Sequence, residues 1–472
     1  MWRLSTLTLV AASLISTPNA INLQKRTDGS PRVIQHDIQR KHVDNPLLRD
    51  RIRRRDTVSV SLENEETLYF ANVSVGTPAQ ELLLHLDTGS SDLWVNTGTS
   101  SLCTENSDPC SFAGTYAPNK SSTYSYVNSL FNISYVDGSG SAGDYVTDTV
   151  SLGGVTLENQ MFGIGYTSSS QEGIIGIGYT SNEALVQYDD GATYANVPKH
   201  MMQSGLINTN AYSLWLNDLD ASTGSILFGG VNTEKFHGTL STVPIIQEDG
   251  IYAEFIIALT AIGMNGNNGS IASDIATAAL LDSGSSLMYL PNTIAEDIFT
   301  LTGAEYDQQQ GAAFVDCSMA YNDTTLDFTF SGATISVSMS ELVIVAGEDR
   351  GQEICIIGIG LAEGTTPVLG DTFLRSAYVV YDLSNNEISL AQTNFNSTTN
   401  NIVEITNSTG VPDATGVASA VTSVATSASS DGARIGGNPS VSAGAAAPMV
   451  TAMAAGYGAV LAAAGAGFVF AL

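Results

Sequence analysis

The chain has 472 residues, 43% of them hydrophobic and 14% charged, with a formal net charge of −30. That length exceeds one ordinary core and suits two packed domains with appendages. Of the 17 Lys/Arg and 47 Asp/Glu, the first 55 residues hold eleven and four, so six basic and 43 acidic residues remain from Asp56 onward; a body that acidic excludes nucleic acid and anionic membrane surfaces as partners.

The N-terminus carries Arg3 and then a mostly apolar run from Leu4 to Ile15, too short to span a bilayer. This predicts a secretory signal over residues 1–20, cut near Ala20. Dibasic pairs follow at Lys25-Arg26 and Arg54-Arg55, the second where composition flips from basic to acidic. Residues 21–55 are therefore expected to be a propeptide, released by a dibasic-specific protease and attracted to an acidic cleft. Acid would weaken that attraction.

From Leu68 to Thr393 short apolar runs alternate with Gly, Ser, Asn and Asp turns, which predicts an all-β body. Expected strands include residues 68–75, 81–86, 213–216, 225–228, 325–330 and 377–381. Pro291 to Leu301 is the one clear helix candidate. The four cysteines, Cys103, Cys110, Cys317 and Cys355, suggest two disulfides in a secreted chain, and three connectivities are open. Local pairing would place one bridge in each half. No Cys-x-x-Cys occurs, so no metal is expected. Seven Asn-x-Ser/Thr sequons, at Asn72, Asn119, Asn132, Asn268, Asn322, Asn396 and Asn407, fit a glycoprotein.

From Asn396 the chain turns rich in Ser, Thr, Ala and Gly, and Met449 to Leu472 contain no charge. Residues 396–445 read as a linker. Residues 446–472 read as the signal for a glycolipid (GPI) anchor, with Ser442 as candidate attachment site.

The body contains a duplication. Leu82-Leu83-Leu84-His85-Leu86-Asp87-Thr88-Gly89-Ser90-Ser91 and Ala278-Ala279-Leu280-Leu281-Asp282-Ser283-Gly284-Ser285-Ser286 each run an apolar strand into Asp-Thr/Ser-Gly-Ser-Ser. Each copy has a later partner, Gly173-Ile174-Ile175-Gly176 or Pro367-Val368-Leu369-Gly370. The pattern predicts lobes over residues 56–240 and 241–395. A buried carboxylate is costly unless hydrogen-bonded, and glycine lets backbone N–H groups reach it. Thr88 and Ser283 can brace the loops across a two-fold axis, and Ser90 and Ser285 can donate to the carboxylate edges. Two carboxylates so placed would share one proton and activate a water. No His-Glu-x-x-His or Gly-x-Ser-x-Gly nucleophile elbow supports a metalloprotease or a serine hydrolase.

With Asp87 to Val95, Tyr135-Val136-Asp137-Gly138-Ser139, Phe228-Gly229-Gly230 and Leu369 to Arg375, this sequence resembles the pepsin-like aspartic proteases, and among them the fungal yapsin-like and candidapepsin-like secreted enzymes. The resemblance covers about residues 68–393. It implies a bilobal all-β fold of two barrel-like lobes, an active site in the cleft between them, peptide substrates, no cofactor and a monomer. It further implies a flap whose tyrosine is Tyr135, in contact with the indole of Trp94. Val136 stands where the family usually has glycine. His85, two before Asp87, lies where the family places an apolar wall of the substrate pocket, and Asp137 lies on the flap nearby. With the acidic body, these suggest a preference for Lys or Arg at the cleavage site. A catalytically silent cell-wall binding protein is the competing reading.

Overall fold

The computed structural model describes residues 31–44, 65–135, 139–406 and 410–424. The signal segment, the dibasic pairs, Val136, Asp137, Gly138, Asn407, Ser442 and the apolar tail lie outside them.

The described residues are dominated by strands, as the turn-punctuated sequence predicts. A 14-stranded sheet runs through both halves of the molecule. Its middle order is Ala377–Asp382, Ala211–Trp215, Thr223–Phe228, Ile34–Asp44, Glu65–Val75, Gln80–Asp87, Gly173–Gly176 and Leu93–Asn96. A five-stranded sheet carries the second aspartate loop, in the order Ile256–Leu259, Thr277–Leu281, Val368–Leu369, Met288–Leu290 and Ile359–Leu361. Two four-stranded sheets complete the second half. The expected lobe boundary near residue 240 falls inside the Phe236–Pro244 strand, which pairs with Glu387–Thr393.

The expected strands form with bounds shifted by a few residues at most. In Gln80–Asp87 every residue from Leu82 onward is buried. Leu82, Leu84 and Leu86 enter the main core, while Leu83 packs in a separate cluster with Leu68 and Phe70. That split is the period-two alternation of a strand. The expected helix forms as Asn292–Thr302, preceded by Pro291. It buries Ile294, Ala295, Ile298 and Phe299 and stops at Gly303, whose φ of 70° is the left-handed cap that glycine adopts freely.

Both local disulfides close, Cys103–Cys110 and Cys317–Cys355, each with a Cα–Cα separation of 5.2 Å. Cys317, Glu353 and Cys355 also lie close enough together to suggest a metal site, but the disulfide consumes both sulfurs.

Two segments differ from what composition suggests. Residues 34–44 of the expected propeptide form a strand in the middle of the 14-stranded sheet. Residues 396–424, expected as the start of a linker, pack on the body instead. Ile402–Glu404 pairs with Gly230–Asn232, and Ala414–Gly416 pairs with Phe236–Pro244. Ile405 is fully buried, and Val417, Val421 and Val424 lie on the main core. Apolar residues spaced through a Thr- and Asn-rich run supply enough burial to dock it. Lys235 fastens the start of this strap, donating to the Ser397 carbonyl while its ammonium lies 4.1 Å from the Trp215 ring centroid.

Candidate active site

The two Asp-Thr/Ser-Gly loops meet. Asp87 ends the Gln80–Asp87 strand, and Asp282 follows Thr277–Leu281. Each strand is flanked in parallel by the short strand that sequence symmetry singled out. Asp87 pairs with Gly176 and Leu281 with Leu369. The glycines closing those partner strands are sterically required. A Cβ at Gly176 would lie 2.6 Å from Ser91 N, and one at Gly370 would lie 2.3 Å from Ser285 O. The two-hydrophobics-then-glycine signature is thus the trace of a chain threaded against each aspartate loop.

The loops brace one another with matching bonds. Thr88 Oγ1 donates to Leu281 O (2.9 Å) and accepts from Ser283 N (2.9 Å). In mirror fashion Ser283 Oγ donates to Leu86 O (3.0 Å) and accepts from Thr88 N (3.1 Å). Both side chains are buried. Removing one hydroxyl leaves two partners unmet inside the protein. Thr88→Val is therefore expected to cost about 1–3 kcal/mol for each unmet group, measured as a shift in urea midpoint. A change within about 0.5 kcal/mol of wild type, the range of an ordinary surface substitution, would show that the brace contributes nothing to stability.

The carboxylates sit inside this brace. Gly89 N donates to Asp87 Oδ1 and Gly284 N to Asp282 Oδ1, both at 2.8 Å. A Cβ at Gly284 would lie 2.4 Å from Asp87 Oδ1 and 2.9 Å from Asp282 Oδ1. The inner oxygens of both aspartates thus flank the same glycine. Asp87 is 1% exposed and Asp282 8%. The outer edges differ. Ser285 Oγ donates to Asp282 Oδ2 at 2.7 Å, whereas Ser90 Oγ, also buried, finds no partner among the described residues.

Other sequence-derived residues take definite places. Trp94 Nε1 donates to Tyr135 OH at 2.6 Å. Tyr135 N donates to Ser139 O at 2.8 Å, at the tip of the hairpin formed by Ser125–Ser134 and Gly140–Leu152. His85 is buried, with its ring centroid 5.8 Å from that of Phe70. It alternates with Leu84 and Leu86, so it stays on the strand face of Leu83 and Asp87.

Two features escaped the sequence. One is an aromatic floor of Tyr179, Tyr212, Phe255 and Tyr381, with Phe255 and Tyr381 centroids 4.7 Å apart. Tyr212 donates to Ile177 O, and Ile177 N in turn donates to Asp87 O. Burial raises the pKa values of Tyr212 and Tyr381, so both hydroxyls stay neutral beside the carboxylates.

The other is a buried acid pair. Asp92 accepts from Ala184 N, Tyr145 OH and Tyr194 OH at 2.7–2.9 Å. Glu183, 1% exposed, accepts from Tyr194 N at 2.8 Å. Burial, then the neighbouring Asp92, pushes the Glu183 carboxyl up to about 10. Burial also raises Asp92, against the hydrogen bonds it receives. Tyr145 stacks edge-on against Phe131 at 5.3 Å, and Phe131 faces Trp94, so the pair lies beneath the Tyr135 hairpin. The "Ser-Ser-Asp" continuation of the first motif marks Asp92, but Glu183 has no local sequence signal.

A sequence profile described as eukaryotic aspartyl protease matches residues 68–393, well over half of the chain. The chain belongs to that family. The protease is 53% identical over 439 residues to a probable aspartic-type endopeptidase, opsB, of Aspergillus oryzae, covering 91% of this chain and 89% of the relative. It is 39% identical over 349 residues to secreted aspartic protease 8 of Candida albicans, covering 73% and 80% of the two chains. Among solved structures, an aspartic proteinase from Irpex lacteus superposes with a TM-score of 0.59 at 24% identity, over 77% of this chain and all of the other, which shows a shared fold. The protease is thus an aspartic-type endopeptidase, a hydrolase acting on protein substrates. No described helix is long and apolar enough to cross a membrane.

Proposed function

We propose that Asp87 and Asp282 are the catalytic pair of this endopeptidase. The observation that supports this most is the reciprocal Thr88–Ser283 brace, which holds two buried carboxylates against one glycine. Two negative charges so close repel strongly, so one proton serves both. The ionised member removes a proton from a water lying between them, and the protonated member donates a hydrogen bond to the scissile carbonyl. Water oxygen bonds to the carbonyl carbon and gives a tetrahedral diol. A proton then passes to the amide nitrogen, the C–N bond breaks, and the acid and amine products leave. No covalent enzyme intermediate forms. The Tyr135 hairpin, tied to Trp94, acts as the flap over the bound peptide.

The enzyme is made as a zymogen on the secretory route, cut after Arg55, and held at the cell surface by a glycolipid near Ser442. The signal-like N-terminus, the dibasic pairs, the charge-free tail and a relative named as secreted support this route. Its acidic body, Asp137 and His85 favour Lys or Arg beside the cleaved bond.

Peptide hydrolysis by the processed protease, followed against pH, tests the reading. Activity is expected below about pH 6, abolished by a statine-type transition-state mimic, because the pair must hold one proton. No cleavage at any pH by the folded, processed protein would instead favour a silent wall-binding protein. In matched peptides Lys at the cleavage site is expected to outperform Leu; preferred Leu would overturn the specificity.

A further inference from the structure

We propose that His36 is an acid-sensitive latch that holds the propeptide strand in the central sheet at neutral pH and lets it go as the pH falls. This rests on the zymogen reading above.

The strand Ile34–Asp44 is hydrogen-bonded on both edges. Ile34 to Gln39 pair with Phe228 to Thr223, and Ile38 to Asp44 pair with Ala71 to Glu65. Ile34 and Ile38 enter the main core. Cutting after Arg55 would sever the covalent link to the next strand and leave all of these contacts in place. Processing alone therefore does not remove the strand, and something must weaken its hold.

Most of its side-chain anchors do not sense acid. Arg32 Nη1 donates to Asn208 Oδ1 (2.8 Å), and Arg40 Nη1 donates to the Asp218 carbonyl (3.1 Å). Lys41 Nζ lies 5.2 Å from the Phe112 ring centroid. Arginine, lysine, amide and carbonyl groups keep their protonation between pH 7 and 4.

His36 is different. Its Nδ1 accepts from Gly153 N at 3.0 Å, so the ring is the neutral tautomer with its proton on Nε2. Nε2 is buried and has no hydrogen-bond partner among the described residues. A second proton would have to enter at Nδ1, against an N–H donor. That would break the bond and bury a charged ring with no acceptor for either of its donors. The groups around it offer little compensation. Thr223–Phe228 places Ile226 opposite His36 and has no titratable side chain. Ala71 to Val75 and the turn from Leu152 to Val155 have none either. Asp37, the next residue, favours the imidazolium, but burial outweighs it and holds His36 below its usual value.

The sign follows from linkage. The docked imidazole binds its proton more weakly than the free one. Docking is strongest above the free value near 6.5 and weakens by up to about tenfold per pH unit as pH falls from there toward the docked value. The device releases the strand only in an acidic compartment.

The test uses the full chain with Asp87→Asn to prevent self-digestion, cut after Arg55 by a dibasic-specific protease. Native mass spectrometry from pH 7.5 to 4 follows retention of the released fragment ending at Arg55, which starts at residue 21, or at residue 27 where Arg26 is also cut. Retention at pH 7.5 and release with a midpoint below about 6.5 are expected. His36→Asn offers Gly153 N an amide oxygen that does not titrate, and should move the midpoint down by at least one pH unit. An unchanged midpoint in that variant, or retention at every pH in wild type, overturns the latch. Should the variant not fold, titration of the wild-type His36 ring by NMR decides: a midpoint at or above about 6.5 overturns it. The zymogen reading fails separately, if the uncut wild-type chain hydrolyses peptide at pH 4 as fast as the cut one.

Discussion

Asp87→Asn and Asp282→Asn are each expected to lower kcat/KM by about 10²–10⁴ or more, the range a positioned acid or base supplies, while leaving the fold intact. Asparagine is isosteric with aspartate. Its amide oxygen still accepts from Gly89 N at position 87 or Gly284 N at position 282. At position 282 the amide nitrogen also faces Ser285 Oγ, which can rotate from donor to acceptor. What asparagine cannot do is accept the water's proton or give one to the substrate. On the proposal that the two carboxylates act as one proton-sharing unit, the double variant should be little worse than either single one. Steady-state hydrolysis of one peptide by the three variants, with melting temperatures alongside, checks this. Retention of near-wild-type activity by either single variant would remove that aspartate from the chemistry. Equal loss of activity and of folding would shift the interpretation to structure.

The first motif and its echo 195 residues later were legible because each step of the chemistry demands a particular residue type. Strand alternation puts Asp87 at the end of a buried run, glycine admits the N–H donors, and the hydroxyls at 88 and 283 are the groups short enough to cross between loops. The partner strands were visible for the same reason, since a Cβ at Gly176 or Gly370 would collide with backbone. What stayed hidden is what depends on long-range packing. Tyr212 and Tyr381 lie 169 positions apart in sequence and meet only in the folded sheet, with ring centroids 5.0 Å apart. The strap after Asn396 has the polar composition of a linker, yet a few well-spaced residues such as Ile405 and Val411 suffice to dock it. Composition averages over the very positions that decide docking. The Ile34–Asp44 strand is obscured in the same way, the basic character of its surroundings masking the burial of Ile34 and Ile38.

Stability should fall from acid toward neutral pH, and Glu183→Gln should remove much of that fall. Glu183 has an ordinary value of 4.5 in the unfolded chain and about 10 in the folded one. A folded value raised in this way gives stability that is fully present below pH 4.5. It is lost progressively as pH rises toward 10, at about 1.4 kcal/mol per unit. By pH 7 the loss from this one group amounts to about 3 kcal/mol, a large part of a typical domain's margin. Burial raises Asp92, Asp382 and Glu387 as well, and each adds the same sign. Asp148, His36 and His200 oppose them: burial would raise Asp148 too, but hydrogen bonds from Ser121, Thr123, Tyr116 and Thr149 N win, and burial lowers both histidines, so all three favour higher pH. Glutamine at 183 keeps an acceptor for Tyr194 N and stays neutral at every pH. Thermal unfolding of wild type and variant should coincide near pH 4 and separate at pH 7, with the variant the more stable. Parallel pH profiles would show that Glu183 does not carry the effect. The placement of the pair gives this slope a functional consequence. Asp92 and Glu183 support Tyr145, and through Phe131 the Trp94–Tyr135 contact. Ionising the pair therefore weakens the support beneath the Trp94–Tyr135 contact. The Asp92–Glu183 pair is thus most secure under acidic conditions.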